Sequence, residues 1–203
     1  LTNQIFNIIK KVLDIFMIKS KVSRVVVLGS NSFIAKSVLK FLKYKKIKTI
    51  LIKRDEINFS KKSECLKLKK IIRKNDTIFF VAAKAPAKNL DMLVYNLKMC
   101  QNIIDIVKEN KSYHFVYVSS DAVYKDSKNK INENSLIEPN SIHGLMHFCR
   151  ENIIENELNC NISIVRPTLV YGIDDPHNGY GPNLFLRQAK KLNKIYLFGK
   201  GEE

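Results

Sequence analysis

Gly29, Ser32 and Ala35 stand three apart, directly after the apolar run Val25-Val26-Val27-Leu28. A tight turn of this kind between a buried strand and a helix can hold a pyrophosphate. The first helical turn offers unpaired N–H groups, and a missing side chain lets the phosphates approach the backbone. Glycine is favoured at all three places; alanine is tolerated at the third, whereas Ser32 brings a Cβ near the phosphates. Asn31, Phe33 and Ile34 complete the turn as candidate cofactor contacts. An ordinary buried strand–turn–helix has the same pattern, so residues further along must decide. Lys53 and Arg54 come next, 24 residues past Gly29, and only then Asp55. An acid here would hold ribose hydroxyls, whereas basic residues accommodate a 2′-phosphate. The order favours NADP, with NAD possible, unless both cations are simply solvated loop charges. Ala82 and Ala83 end a third apolar run with small side chains, which leaves room for a ligand.

These residues need a sheet to position them, and the hydrophobic pattern supplies one. The continuous apolar run at 25–28 reads as a strand covered on both faces, and the stretches at 48–53, 76–83, 114–120 and 162–165 read as further strands, the one at 76–83 buried. Helical spacing intervenes at 33–42, as a short basic helix around 66–72, at 90–108, and from Pro139 to about 158. Strands alternating with helices predict an α/β fold, a doubly wound parallel sheet of Rossmann type. The division that follows is an N-terminal extension over 1–22, an NAD(P)-binding domain over 23–172, and the start of a substrate-binding part over 173–203. Residues 1–20 carry Ile5, Ile8, Ile9, Val12, Ile15 and Phe16 on one helical face, opposite Lys10, Lys11 and Asp14. That suits a membrane-surface or partner helix, or a plain appendage. It lacks the cleavage site of a signal peptide. Leu1 in place of Met points to an unusual start or a shortened chain.

The 203 residues, 45% hydrophobic, are enough for a real core. No apolar run reaches the roughly 18 residues of a membrane span, so no integral membrane association is expected. The net charge of +16 invites a nucleic-acid partner, but the excess is 29 Lys against 6 Arg, scattered along the chain. Phosphate and base readers rely on Arg forks and clustered patches, so nucleic acid is not expected. Cys65, Cys100, Cys149 and Cys160 show no metal spacing and read as reduced thiols of a cytoplasmic protein.

Seven ordered segments carry a family resemblance: GSNSFIA at 29–35, VAA at 81–83, NLKMCQNII at 96–104, VSSDAVY at 118–124, PNSIHG at 139–144 followed by Glu151, RPTLVYG at 166–172, and GPNLFL at 181–186 with LFGKG at 197–201. In this order they resemble the extended short-chain dehydrogenase/reductases, the NAD(P)-dependent epimerase/dehydratase branch that acts on nucleotide sugars. The resemblance covers residues 24–203 and implies that the substrate-binding part continues past Glu203. It implies a nucleotide-diphosphate sugar as substrate and a homodimer built on the helices at 89–108 and 141–158, through Leu93, Leu97, Ile104, Ile153, Ile154 and Leu158. It places Asn96 and Pro167 among the cofactor contacts, and Asp121, Asn183 and Phe198 among the substrate contacts. Phe198 suits core packing equally well.

The family's chemistry uses a hydroxyl that polarises the substrate oxygen, a Tyr that moves its proton, and a Lys four residues on. Ser120 matches the hydroxyl, but the Tyr position is His143 and the Lys position is His147. Three readings stay open. His143 is the acid/base, with His147 at the ribose; or the protein binds nucleotide without redox chemistry; or the i, i+4 pair holds a metal, for which only Glu151 offers a third ligand. A 4,6-dehydratase would show an Asp-Glu pair, and Asp121 is followed by Ala122, which leaves epimerisation or reduction at a sugar carbon.

Overall fold

The computed structural model describes residues 22–110, 114–172, 175 and 181–197. The strands are β1 (Arg24–Leu28), β2 (Lys48–Ile52), β3 (Thr77–Phe80), β4 (His114–Val118) and β5 (Asn161–Val165). They form one parallel sheet in the order β2-β1-β3-β4-β5. Every residue of β1 and β4 is buried, as continuous apolar strands must be when both faces are covered. One face of the sheet presents Val25, Val27, Phe79, Val116 and Val118 to α1 (Phe33–Tyr44), which answers with Ala35, Val38, Phe41 and Leu42. The other presents Val26, Leu28, Ile78, Phe80, Phe115 and Tyr117 to α4 (Leu90–Asn110) and α5 (Ile142–Glu157). Two short helices, α2 (Lys62–Cys65) and α3 (Leu68–Ile71), close that second layer through Cys65 and Leu68. Helices on both faces of a parallel sheet make a Rossmann-like α/β fold.

At the amino ends of the strands a buried ion pair fixes β1 to the turn before β3. Arg24 donates to both carboxylate oxygens of Asp76, at 2.7 and 2.5 Å, and to the Ile71 carbonyl at 2.9 Å. The opposite, carboxyl ends are left open for the site.

Three sequence expectations change here. Ser141, not Pro139, begins α5: its Oγ accepts the Gly144 N–H at 3.0 Å, a serine N-cap that outranks the proline two residues before it. The basic helix expected around 66–72 is one short turn, α3, preceded by a second, α2, because this stretch buries little more than Cys65 and Leu68. Ile104, Ile154 and Leu158 belong to the chain's own core and are not available to a second copy. The apolar side chains that α4 and α5 do expose are Leu90, Val94, Ile142 and Leu145. The extension at 1–21 lies outside the described residues. α6 (Gly181–Leu192) follows the nucleotide-binding sheet.

Candidate active site and cofactor cleft

The chain leaves β1 for β2 on one side and returns to place β3 on the other. The carboxyl ends of β1 and β3 therefore diverge, and a crevice opens between their loops. Gly29 makes this crevice. Its φ is +96°, and a Cβ there would lie 2.8 Å from the Ala82 backbone, so a side chain is excluded twice over. The two loops are fastened by Val81 and Ala82 N–H groups donating to the Leu28 carbonyl at 3.1 and 3.0 Å. A cleft of about 220 Å³ results, lined among others by Gly29, Asn31, Ser32, Arg54, Ala82 and Ala83. Six of the predicted cofactor residues thus meet in one place.

Ser32 has a structural reason to replace glycine. It is the N-cap of α1, and its Oγ accepts the Ala35 N–H at 3.1 Å. Other predicted residues act from behind the cleft. Phe33 lies against Gly172, where a Cβ would come within 2.8 Å of the ring. Ile34 packs on the α1 side of the sheet. Lys53 is exposed, with its backbone N–H donating to Glu56. Asn96 is fully buried; it accepts from the Lys84 N–H at 2.9 Å and donates to the Lys84 and Met92 carbonyls. One amide hydrogen therefore serves the loop after β3 and the other the backbone of α4 itself. Pro167 accepts the Asp121 N–H at 3.2 Å, tying the end of β5 to the turn after β4.

Six cleft residues are not among the predicted contacts: Asn58, Phe59, Val81, Lys84, Tyr95 and Met99. Asn58 Oδ1 accepts from the Ser60 N–H and hydroxyl, an Asx turn that the Asn-x-Ser spacing signals in retrospect. Lys84 Nζ stands 5.4 Å from the Tyr95 ring centroid. Tyr95 and Met99 carry no signal apart from a shared helix face.

The catalytic candidates sit on β4, the 3-10 turn Asp121–Val123 and α5. Gly144 brings α5 against that turn so closely that a Cβ would fall 2.0 Å from the Ala122 carbonyl oxygen. Ser120 caps the turn: its Oγ accepts the Ala122 N–H and donates to Asp121 Oδ1, each at 3.2 Å. The His143 and His147 rings meet edge to face, centroids 4.7 Å apart. His143 is half-buried and its Nδ1 accepts the Ala87 N–H at 3.4 Å. His147 is 5% exposed, and its Nδ1 lies 2.6 Å from the Tyr117 hydroxyl. Burial, then the charge of Arg150, pushes His147 down to about 2, so its ring is neutral. Nδ1 is taken by Tyr117; any contact His147 makes to a ligand must come from Nε2. Among the described residues no group of three metal-ligating side chains gathers there.

Beneath the histidines lies a charged network. Glu151 accepts from the Ser119 hydroxyl and from Arg166, whose Nε and terminal nitrogen reach the two carboxylate oxygens at 3.0 and 2.8 Å. Arg166 also donates to the Tyr124 hydroxyl at 2.8 Å. Asn183 is buried, and its amide donates to the Gly172 carbonyl and to Asp175. Phe198 lies outside the described residues.

A pyrophosphate and its nucleosides suit the crevice. Ser30 Oγ, buried inside the glycine turn, finds no hydrogen-bond partner among the described residues, and Arg54 supplies a cation at the cleft wall. Fold and cleft together define a dinucleotide-binding α/β protein. Residues 25–203 match the NAD dependent epimerase/dehydratase family, and the chain belongs to it. It is 22% identical over 187 residues to "Uncharacterized UDP-glucose epimerase YtcB" of Bacillus subtilis (strain 168), covering 87% of this chain and 58% of that protein. Less than two thirds of that relative's length is therefore represented. Among solved structures, the UDP-N-acetylglucosamine 4-epimerase from Bacillus cereus superposes with a TM-score of 0.70 at 22% identity, over 83% of this chain and 66% of its own. The dTDP-4-dehydrorhamnose reductase from Bacillus anthracis str. Ames, in complex with NADP, gives 0.69 at 21%, over 84% and 60%. A GDP-L-fucose synthetase from Naegleria fowleri bound to NADP gives 0.70 at 18%, over 90% and 67%. At such identities the likeness is one of fold. Among the described residues no helix is long and apolar enough to cross a membrane.

Proposed function

We propose that this chain is the cofactor-binding portion of an NADP-dependent enzyme that epimerises or reduces a sugar carbon of a nucleotide-diphosphate sugar, in sugar or surface-polysaccharide biosynthesis. The observation that carries the reading is the cleft at the switch between β1 and β3, where the Gly29 turn, the Ala82-Ala83 loop and Arg54 converge. Gly29, Asn31 and Ser32 would hold the pyrophosphate at the amino end of α1, and Arg54 the 2′-phosphate. When bound, the nicotinamide exchanges a hydride with the sugar carbon. Ser120 would polarise the sugar oxygen. His143 would carry the proton: once the long Ala87 N–H contact to its Nδ1 is released, its neutral ring takes one from the hydroxyl during oxidation, and its charged ring returns one during reduction.

A second reading is favoured by the fate of His147. The family position for a Lys carries a buried, neutral ring bonded to Tyr117. A protein so altered would bind the dinucleotide without turning over a sugar. Incubation of the purified protein with NADPH deuterated at C4 and a panel of 4-keto and 4-hydroxy nucleotide sugars separates the two. Deuterium in the sugar supports the enzyme; tight NADP binding with none transferred supports the binding module, and no NADP binding removes both.

A further inference from the structure

Arg150 is the largest side chain that this fold buries completely. No carboxylate pairs with it among the described residues: the adjacent Glu151 is taken by Arg166 and Ser119. Its terminal nitrogens donate to the Ala82 carbonyl at 3.0 Å and, weakly, to Met146 Sδ at 3.8 Å, while Nε has no partner. The guanidinium faces the rings of Phe80 and Tyr117, 4.3 and 5.1 Å from their centroids. Stacking and one charge-assisted bond offset only part of the desolvation of a buried cation. Methionine would fill the same space without that penalty, so packing alone is a poor account of the residue.

The charge has a clear object. His147 lies one turn earlier on α5, and Tyr117 is hydrogen-bonded to its Nδ1. Burial comes first in opposing protonation of His147, then the Arg150 cation and the His143 ring 4.7 Å away, and a neutral ring has a single N–H. The same cation acts on the Tyr117 phenol. A hydroxyl beside a guanidinium turns its oxygen lone pairs toward the charge and its hydrogen away, which here means toward Nδ1. Nδ1 then accepts, and the ring hydrogen must sit on Nε2.

We propose that Arg150 is a positioning residue: acting through Tyr117, it fixes His147 in the Nε2–H tautomer, and its charge adds to the burial that keeps the ring neutral. The helix position that carries a charged Lys in the resembled family thereby offers one fixed, neutral donor. The consequence for the proton carrier rests on the enzyme reading above. With His147 held out of the titration, activity follows the ionisation of His143 alone.

Long-range proton–nitrogen spectra of the 15N-labelled protein read the tautomer directly, with no substrate needed. In the wild type, Nδ1 should be unprotonated, Nε2 protonated, and both unchanged down to about pH 5. Arg150→Met should mix the tautomers and move the His147 titration upward, while Arg150→Lys keeps the wild-type pattern. Tyr117→Phe should mix the tautomers with the cation still in place. Nδ1–H in the wild type overturns the proposal whether or not any variant folds, as does an unchanged spectrum in Arg150→Met. The predicted tautomer in a protein that transfers no deuterium to any sugar would remove the enzyme reading and support this assignment.

Discussion

Acidification from about pH 7.5 to about pH 5 should destabilise the fold by about 4 kcal/mol through His147 and His114. Both imidazoles are buried, 5% and 2% exposed. Burial pushes His147 down to about 2, with help from Arg150, and His114 to about 4, against 6.5 for a free imidazole. The unfolded chain therefore takes up protons below pH 6.5 that the fold refuses. Stability is intact above that value, and it falls as the pH drops to about 4 for His114 and about 2 for His147. Over the stated interval each ring contributes a loss of about 2 kcal/mol, from about 1.4 kcal/mol per pH unit below 6.5. Carboxylates held low in the fold act elsewhere: Glu157, bonded to Lys108 and Gln101, and Asp105, bonded to Gln101, lose their contribution only as the pH falls through the carboxylate range. Urea unfolding at both pH values, on the wild type and on His147→Gln and His114→Gln, isolates each ring. Either substitution should remove about half of the acid loss, whatever it does to stability at neutral pH. A His147→Gln protein with the full wild-type loss would show that this imidazole takes up its proton as readily in the fold as in the unfolded chain, and the reasoning about its neutral ring would collapse.

At the cleft, Arg54→Ala should weaken NADP by about 1–3 kcal/mol while leaving NAD nearly unchanged, by calorimetry. Lys53→Ala, outside the lining, should change either cofactor by less than about 1 kcal/mol, and equal losses for both cofactors in Arg54→Ala would unseat the 2′-phosphate role. Gly144→Ala would place its Cβ 2.0 Å from the Ala122 carbonyl oxygen. Separation of α5 from the turn should follow, with a loss of more than about 3 kcal/mol in thermal or denaturant unfolding. Asp76→Asn leaves the buried Arg24 guanidinium without its counter-ion and should lower stability by about 3–5 kcal/mol, measured the same way. If the exposed Leu90, Val94, Ile142 and Leu145 meet their equivalents in a twofold dimer, light scattering at tens of micromolar will give twice the chain mass, and Val94→Glu with Leu145→Glu will halve it.

The parts of this protein that the sequence made legible are those whose cause is local. Val25–Leu28 is apolar without alternation, and only a strand covered on both faces has a use for that. Gly29 is needed where φ is positive and another backbone comes close, and Ala82 is small because it meets it there. A cleft built from backbone and absent side chains leaves its trace in residue type, so six of its lining residues could be named in advance. The start of α5 was placed at Pro139 because proline is the louder signal, although the hydroxyl of Ser141 does the capping.

What escaped has a tertiary cause. Arg150 reads in the sequence as one more solvated cation on an amphipathic helix, in a chain with 35 Lys and Arg residues. Nothing within a turn or two of it reveals that Phe80 and Tyr117, from two different strands, will enclose it. The same holds for His147, whose partner Tyr117 lies 30 residues away on β4. Motif matching located both histidines by register and could say only which residues they replace. It could not say that one ring is half-buried and the other sealed, a difference on which the proposed roles rest. A half-buried imidazole can exchange a proton with a ligand, whereas a desolvated one beside a cation can only donate the hydrogen it already holds. Under the proposed function the pair would therefore split into a proton carrier and a fixed donor, on grounds of burial and charge.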